Sequence, residues 1–410
     1  MAFRKKIYAA AGYSTTFFGP GRKEFNPEKP MASFETYLKE AADGVLAQVA
    51  NKDIDEGVIA NFMAPRFIKQ ANLPGFLPSV VPSLLGKPCT GVEGACGSGG
   101  RAIATAVRNV LSDAADTVFV LGFELQNTMK SIYGADVLAG AAYYQAERKG
   151  GCAHFFPGIF GARAGAYYET YGYDDTRKGL AKWYEQAILN ARKNPKAQEY
   201  HNSAQDLFAL GMTQPDAKKF IPNLNLYDCS KISDGAAGLI IASEEGLKKL
   251  GIDLSQAIEI VAVGAAEGDI TKPPPNMTVL TYTEKAAQNA LQQAGVSIDD
   301  LALLEIHDCF SITGLLSLEA LGFAEKGKGA AMILDGQLSK EGRIPTNPSG
   351  GLCGFGHPVG ASGVRMLVDL LQQFTKKAPN QMEPRTPYGM LVSMGGNDIT
   401  VTSVIVKGNN

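Results

Sequence analysis

A glycine-rich turn that runs into an amphipathic helix and then an apolar strand occurs twice in this chain, and that repetition limits the folds open to it. The first copy is GVEGACGSGGRAIATAVRNVL, Gly91 to Leu111, followed by TVFVLG from Thr117 to Gly122. The second is NPSGGLCGFGHPVGASG, Asn347 to Gly363, followed by a helix with Val364, Leu367, Val368 and Leu371 on one face and an apolar strand from Gly389 to Met394. Helical spacing marks each helix, and unbroken apolar runs mark central strands buried on both faces. Strands alternating with helices imply a mostly parallel sheet covered by helices. Two similar α/β halves of about 150 to 200 residues, one carrying an insertion, are the simplest account.

The remaining elements fit between these copies. Lys5 to Phe18 reads as an opening strand, Phe34 to Val49 as a helix, Val58 to Phe62 as a buried strand, and Phe76 to Leu85 as a helix made ragged by Pro78 and Pro82. From Glu124 to about Asn225 aromatic and charged residues crowd in, with helices over Lys178 to Arg192 and Ser203 to Leu210, as in an inserted, largely helical subdomain. Ala237 to Ala242 and Ile258 to Val263 read as strands, Thr283 to Ala294 as a helix, Leu301 to Ile306 as a strand, and Ser311 to Leu321 as a helix. The expected division is 1–123 and 226–255 for the first half, 124–225 for the insertion and 256–410 for the second half.

Composition removes several function classes. A formal net charge of -2 over 410 residues gives no electrostatic footprint for nucleic acid or an anionic membrane. No stretch reaches the roughly 18 apolar residues of a membrane span, the N-terminus has no sustained apolar signal region, and the C-terminal VIVKGNN is no peroxisomal address. The six cysteines form no C-x-x-C pair and no regular framework, so no zinc site, other resident metal or disulfide scaffold is expected. Reduced thiols in a soluble cytoplasmic protein are the expectation.

The chemistry centres on Cys96, which stands among small residues at a strand-to-helix turn. Glycines there would let the backbone turn tightly and leave space above the sulfur, and a helix N-terminus favours thiolate over thiol. Two of the four histidines lie beside strand ends or glycine-rich loops: His307 in EIHDCF and His357 in GFGHPVG. Cys309 follows His307 by two residues, so in an extended segment their side chains point the same way. An imidazole can deprotonate one thiol to make a nucleophile while the second thiol moves a substrate proton, a toolkit for acyl transfer with carbon–carbon bond chemistry. Taken singly, each residue has a plainer reading, a cysteine as a small buried hydrophobe and a histidine as a packed strand end. His154, His201, Cys89, Cys152, Cys229 and Cys353 carry no partner pattern and read as packing or surface residues.

Together these motifs resemble the thiolase superfamily over nearly the whole chain. Cys96-Gly97-Ser98 matches its nucleophile motif, and His307-Asp308-Cys309-Phe310 its H-D-C-F form. Gly356 to Gly363 matches its G-H-P-x-G-A-T-G motif, with support from Ser233 to Ala237 and from Met394-Gly395-Gly396. The H-D-C-F form is similar to the branch holding sterol-carrier-protein and archaeal-type acetoacetyl-CoA thiolases. In the other branch the acid/base cysteine sits in a C-terminal C-x-G motif, where this chain has Ser393, so the resemblance passes that role to Cys309. A further departure is PPPNMTVLTYT from Pro273 to Thr283, where many relatives have a methionine- and glycine-rich stretch lining the acyl pocket.

The resemblance implies two mixed-sheet halves in a five-layered α/β/α/β/α thiolase fold, with the insertion as the loop domain that helps hold coenzyme A. It implies a homodimer or homotetramer acting on acyl-CoA, with coenzyme A as substrate and no permanently bound cofactor. Cys96 would be acylated and His357 would activate it; Cys309 would act as acid and base. His307 and His357 would hold one oxyanion, and the amides of Cys96 and Gly395 another. Two alternatives remain: a catalytic subunit that needs a small OB-fold or zinc-ribbon partner for a bulky or aromatic acyl group, and a thiolase-like protein that binds acyl-CoA or lipid without turnover.

Overall fold

A computed structural model describes residues 2–29, 31–148 and 153–409. Nine strands form one hydrogen-bonded ladder in the order β3-β2-β4-β5-β1-β6-β9-β8-β7. They are β1 (Ile7–Ser14), β2 (Glu56–Ala60), β3 (Cys89–Val92), β4 (Thr117–Glu124), β5 (Gly235–Ser243), β6 (Ala257–Glu267), β7 (Leu301–Ile306), β8 (Tyr388–Gly395) and β9 (Thr400–Gly408). β1 pairs antiparallel with β5, β5 antiparallel with β4, and β4 and β3 parallel with β2. The second half repeats this: β6 antiparallel to β9, β9 antiparallel to β8, and β8 parallel to β7. Its counterpart of β3 is reduced to a parallel bridge between Leu304 and Thr346. The equivalent strands β1 and β6 pair antiparallel and fuse the halves.

Side-chain alternation along the strands converts this ladder into layers. Ile7 and Ala9, Val118 and Val120, Leu239 and Ile241, and Val404 and Val406 face a central cluster with the helices Ser98–Leu111 and Val359–Phe374. The opposite face of the first half, with Tyr8, Phe119, Leu121 and Ile240, packs on the Phe34–Leu46 helix. The opposite face of the second half, with Met390, Val392 and Ile405, packs on the helices Thr281–Ala294 and Ser311–Leu321. Three helical layers interleaved with two sheet halves are the five layers that the resemblance implied. The two central helices approach so closely that a Cβ on Gly99 would stand 2.7 Å from the Val364 amide nitrogen. The glycines of both repeats are therefore needed where the helices cross, a packing role the sequence did not reveal.

Between β4 and β5 the chain is largely helical, with Phe155–Tyr171 and Asp174–Ala191 the longest helices. In place of the expected Ser203 to Leu210 helix a shorter one forms over Leu207–Gly211, capped by Asp206, whose carboxylate accepts from the Ala209 amide at 2.8 Å. Buried Arg177 grips Asp228 through two bonds of 2.6 and 2.7 Å, and Asp228 also accepts from Ser311 Oγ at 2.5 Å. That network ties the insertion to the start of the helix after Cys309. Cys152 lies outside the described residues.

Candidate active site

The parallel strands of both halves end at a common place, and Cys96, His307, Cys309 and His357 sit there. Cys96 occupies the turn Ala95–Gly97 before its helix. Ala95, rather than a glycine, adopts the left-handed conformation, with φ of 51°, at a cost of about 1–3 kcal/mol. The turn is held by Ser98 Oγ, which accepts from the Gly94 amide at 3.0 Å and donates to the Ala95 carbonyl at 2.6 Å. Gly97 and Gly395 are close-approach positions: a Cβ on Gly97 would meet the Thr400 carbonyl oxygen at 2.8 Å, and one on Gly395 the Gly94 carbonyl oxygen at 2.1 Å. The amides that bear on the Cys96 sulfur are its own and that of Gly396, one residue beyond the expected Gly395. Burial nevertheless pushes the thiol up to about 12, and the Glu124 carboxylate adds to the rise. Cys96 therefore rests as a thiol; desolvation outweighs the helix N-terminus that was expected to favour thiolate.

His357 is clamped through its backbone. Its N–H donates to Ser233 Oγ at 2.8 Å, and its carbonyl accepts from Gln126 Nε2 at 2.6 Å. On the ring, Nδ1 lies 2.6 Å from Ser362 Oγ, whose own hydrogen is directed to the Pro358 carbonyl at 3.1 Å. That bonding pattern assigns the ring proton to Nδ1 and leaves Nε2 with a free lone pair. Nε2 is buried with no hydrogen-bond partner among the described residues. Burial holds His357 well below the ordinary histidine range, with His307 and Arg365 adding to the effect, so the ring is neutral.

His307 is the first residue beyond β7. Asn347 imitates a neighbouring strand there, accepting from the Ile306 amide at 2.8 Å and donating to the Ile306 carbonyl at 3.1 Å. Asp308 faces away and accepts from the Leu352 amide at 2.6 Å and Trp183 Nε1 at 3.0 Å, which anchors the glycine-rich loop. The His307 and His357 rings meet edge to face, with centroids 5.0 Å apart. Neither His307 nitrogen has a partner among the described residues, and burial pushes its pKa to about 3. Cys96 Sγ and one nitrogen from each ring all lie within 4.8 Å of one another. Cys309 is buried beside them, 3.7 Å from Thr313 Oγ1, and burial raises its thiol pKa, with Cys96 contributing.

The other sequence candidates lie elsewhere. Cys353 Sγ donates to the Asp308 carbonyl at 3.1 Å, His201 pairs with Glu24 at 3.6 Å, and His154 packs on Phe220. Ser393 Oγ packs between the central helices, 2.8 Å from where a Cβ on Gly363 would stand. Glu124 went unnoticed in the sequence, although a carboxylate ending the apolar run TVFVLGFE was the signal. Fully buried, it accepts from the amides of Phe62 (2.9 Å), Met63 (3.0 Å) and Gly360 (3.1 Å) and from Asn61 Nδ2 (3.2 Å). It thus joins the loop after β2 to the start of the His357 helix; burial pushes its pKa up to about 7 against the pull of these donors. Phe62, Met63, Leu138, Ala141, Phe156 and Val359 form an apolar wall around Cys96. The divergent Pro273 to Thr283 segment is instead pinned by Arg163, which donates to the Met277 and Val279 carbonyls at 3.0 Å each.

The family described as thiolase C-terminal domain-like matches residues 265–408. An acetyl-CoA acetyltransferase of Methanothermobacter thermautotrophicus is 32% identical over 394 residues, covering 95% of this chain and 96% of that protein. The chain belongs to the thiolase family. Thiolase relatives also include a benzoylsuccinyl-CoA thiolase subunit, BbsB, of Thauera aromatica, 28% identical over 97% of this chain and 96% of that one. The thiolase fold is shared with human mitochondrial 3-ketoacyl-CoA thiolase in complex with CoA, with a TM-score of 0.70 and 18% identity over 100% of this chain and 99% of that one. No helix among the described residues of this thiolase is long and apolar enough to cross a membrane.

Proposed function

We propose that this thiolase interconverts a 3-oxoacyl-CoA plus CoA with acetyl-CoA plus a shortened acyl-CoA through an acyl-Cys96 intermediate. The observation that carries the reading is the convergence of the Cys96 thiol on two neutral imidazoles, one with its Nε2 lone pair free. In cleavage, Nε2 of His357 takes the Cys96 proton as the sulfur attacks the 3-oxo carbon. Transfer must accompany attack, because the resting thiol is a weak acid. The bond between C2 and C3 breaks, and Cys309, held as a thiol, gives its proton to the enolate carbon of acetyl-CoA. His307 and the newly formed Nε2–H of His357 donate to the enolate oxygen, while the amides near the Cys96 sulfur stabilise the tetrahedral oxyanion. Preorganised donors of this kind are each worth about 3–4 kcal/mol of barrier. In the second half, Cys309 thiolate takes the proton of incoming CoA, whose sulfur attacks acyl-Cys96. The departing Cys96 thiolate recovers its proton from His357. Condensation is the same sequence reversed.

This reading makes coenzyme A a substrate rather than a resident group. It assigns residues 124–225 to the loop domain that holds coenzyme A, between a first half of 1–123 and 226–255 and a second half of 256–410. It takes the working unit to be a cytoplasmic homodimer or homotetramer. Identity of 28% to a protein named as a thiolase subunit favours a second reading, a catalytic subunit that needs a small OB-fold partner for a bulky acyl group. A copurifying small protein, with activity only in its presence, would select it. A binding protein without turnover is disfavoured because it has no use for two thiols facing two imidazoles.

Cys309→Ala separates the half-reactions. It is expected to lower thiolysis and condensation by about 10²- to 10⁴-fold while Cys96 still becomes acylated by acyl-CoA. Normal turnover in that variant would show that another group moves the substrate proton.

A further inference from the structure

We propose that Cys96, His307 and His357 form a reversible inhibitory site for a thiophilic divalent cation, with Zn²⁺ as the ion of matching chemistry. One sulfur and two imidazole nitrogens lie within 4.8 Å of one another. The donor set of one thiolate and two imidazoles suits borderline-soft ions and excludes Mg²⁺ and Ca²⁺, which require oxygen ligands. Both nitrogens of His307 and Nε2 of His357 are buried with no hydrogen-bond partner among the described residues, and His307 is 1% and His357 6% exposed. One unpartnered buried nitrogen from each ring, set within 4.8 Å of the thiol, makes a three-donor set with no competing hydrogen bonds among the described residues. The outer sphere is in place as well: Ser362 Oγ, 2.6 Å from Nδ1, orients the His357 ring as a carbonyl or carboxylate does at known metal histidines.

The fit requires only a small contraction. An ion at the centre of a triangle with sides of at most 4.8 Å is at most about 2.8 Å from each corner, so each donor moves in by no more than about 0.5–0.8 Å to reach bonds of about 2.0–2.3 Å. Rotation of the Cys96 side chain in its half-buried turn supplies part of that movement. Binding displaces one proton: the Cys96 thiol and M²⁺ give the metal thiolate and H⁺, while His357 binds through its free Nε2 lone pair and His307 binds after its ring proton shifts to the other, equally unpartnered ring nitrogen, a change of tautomer that releases no further proton. The fourth position is left to water. Because one sulfur serves both purposes, metal binding and acylation exclude each other. The consequence, inhibition, rests on the function proposed above; the binding does not.

The test is a Co²⁺ titration of the untagged chain, followed by absorption spectroscopy without turnover. The expected result is a thiolate-to-cobalt charge-transfer band that saturates at a single ion per chain and is displaced by Zn²⁺. It should disappear in Cys96→Ser and in wild-type protein whose Cys96 has been acylated or alkylated, and remain in Cys89→Ser. In parallel, Zn²⁺ should abolish acyl transfer, chelation should restore it, and Mg²⁺ should have no effect. A band that survives both Cys96→Ser and Cys96 alkylation, or no band at all, would overturn the site. Should the band behave as expected while no acyl-CoA is ever turned over, the metal site stands and the acyltransferase reading falls.

Discussion

At the scale of single residues, the site is ruled by desolvation. The helix N-terminus beside Cys96 was legible in the sequence, and so was the pairing of two thiols with two histidines. How far burial outweighs the helix field was not, because it depends on packing contributed by other strands. The thiol pushed up to about 12 and the His307 imidazole pushed down to about 3 describe a neutral resting pair, not a thiolate–imidazolium pair. This has a direct pH consequence. Thiolate is the alkylated species, and its fraction rises about tenfold per pH unit below the thiol pKa. Carbamidomethylation of Cys96 in the free enzyme should therefore keep accelerating from pH 7 to pH 10, read by mass mapping against time. A plateau beginning near neutrality would mean an ion pair already exists.

At the scale of elements, buried ionic groups fasten the loops that carry the chemistry. Each Glu124 oxygen accepts two hydrogen bonds, so in Glu124→Gln either amide orientation sets an NH₂ donor against two N–H donors. The expected cost is about 1–3 kcal/mol, together with a fall in kcat as Gly360 and the neighbouring His357 loosen. Thermal unfolding and steady-state kinetics read the two effects, and unchanged values in both would remove Glu124 from a positioning role. The pH sign follows from the raised pKa: the folded state binds the proton more tightly, so this carboxyl weakens stability as pH rises through about 7 and the penalty is relieved below it. The Arg177–Asp228 pair works in the same manner for the Cys309 helix. Arg177→Ala strands a buried carboxylate and should cost about 3–5 kcal/mol, seen as a lowered melting temperature; an unchanged one would contradict the assignment. Neither network was visible beforehand, since Arg177 is one charge among many in the insertion and Asp228 lies just beyond it, with nothing in the local pattern to pair them. The strands and helices themselves were largely legible, because apolar periodicity is a local property.

At the scale of the whole molecule, the duplicated turn-helix-strand unit implied two halves, and the pairing order of β1 to β5 against β6 to β9 bears that out. What periodicity could not supply was pairing between distant segments. The antiparallel contact of β1 with β6 makes one ladder of two sheets, and β9, which the sequence reading did not assign as a strand, lies between β6 and β8. Register of that kind is set by tertiary packing rather than by local pattern. The site is correspondingly composite: Cys96 comes from the first half, His307, Cys309, His357 and Gly396 from the second, and part of the apolar wall from the insertion. The central claim is that these pieces act on one sulfur. The most direct measurement is peptide mass mapping after incubation with acetyl-CoA or a longer 3-oxoacyl-CoA and an acid quench. The account predicts an acyl group on the Cys96 peptide that free CoA removes; an acyl group on any other residue, or a Cys96 that stays free with short, long and aromatic donors alike, would contradict it.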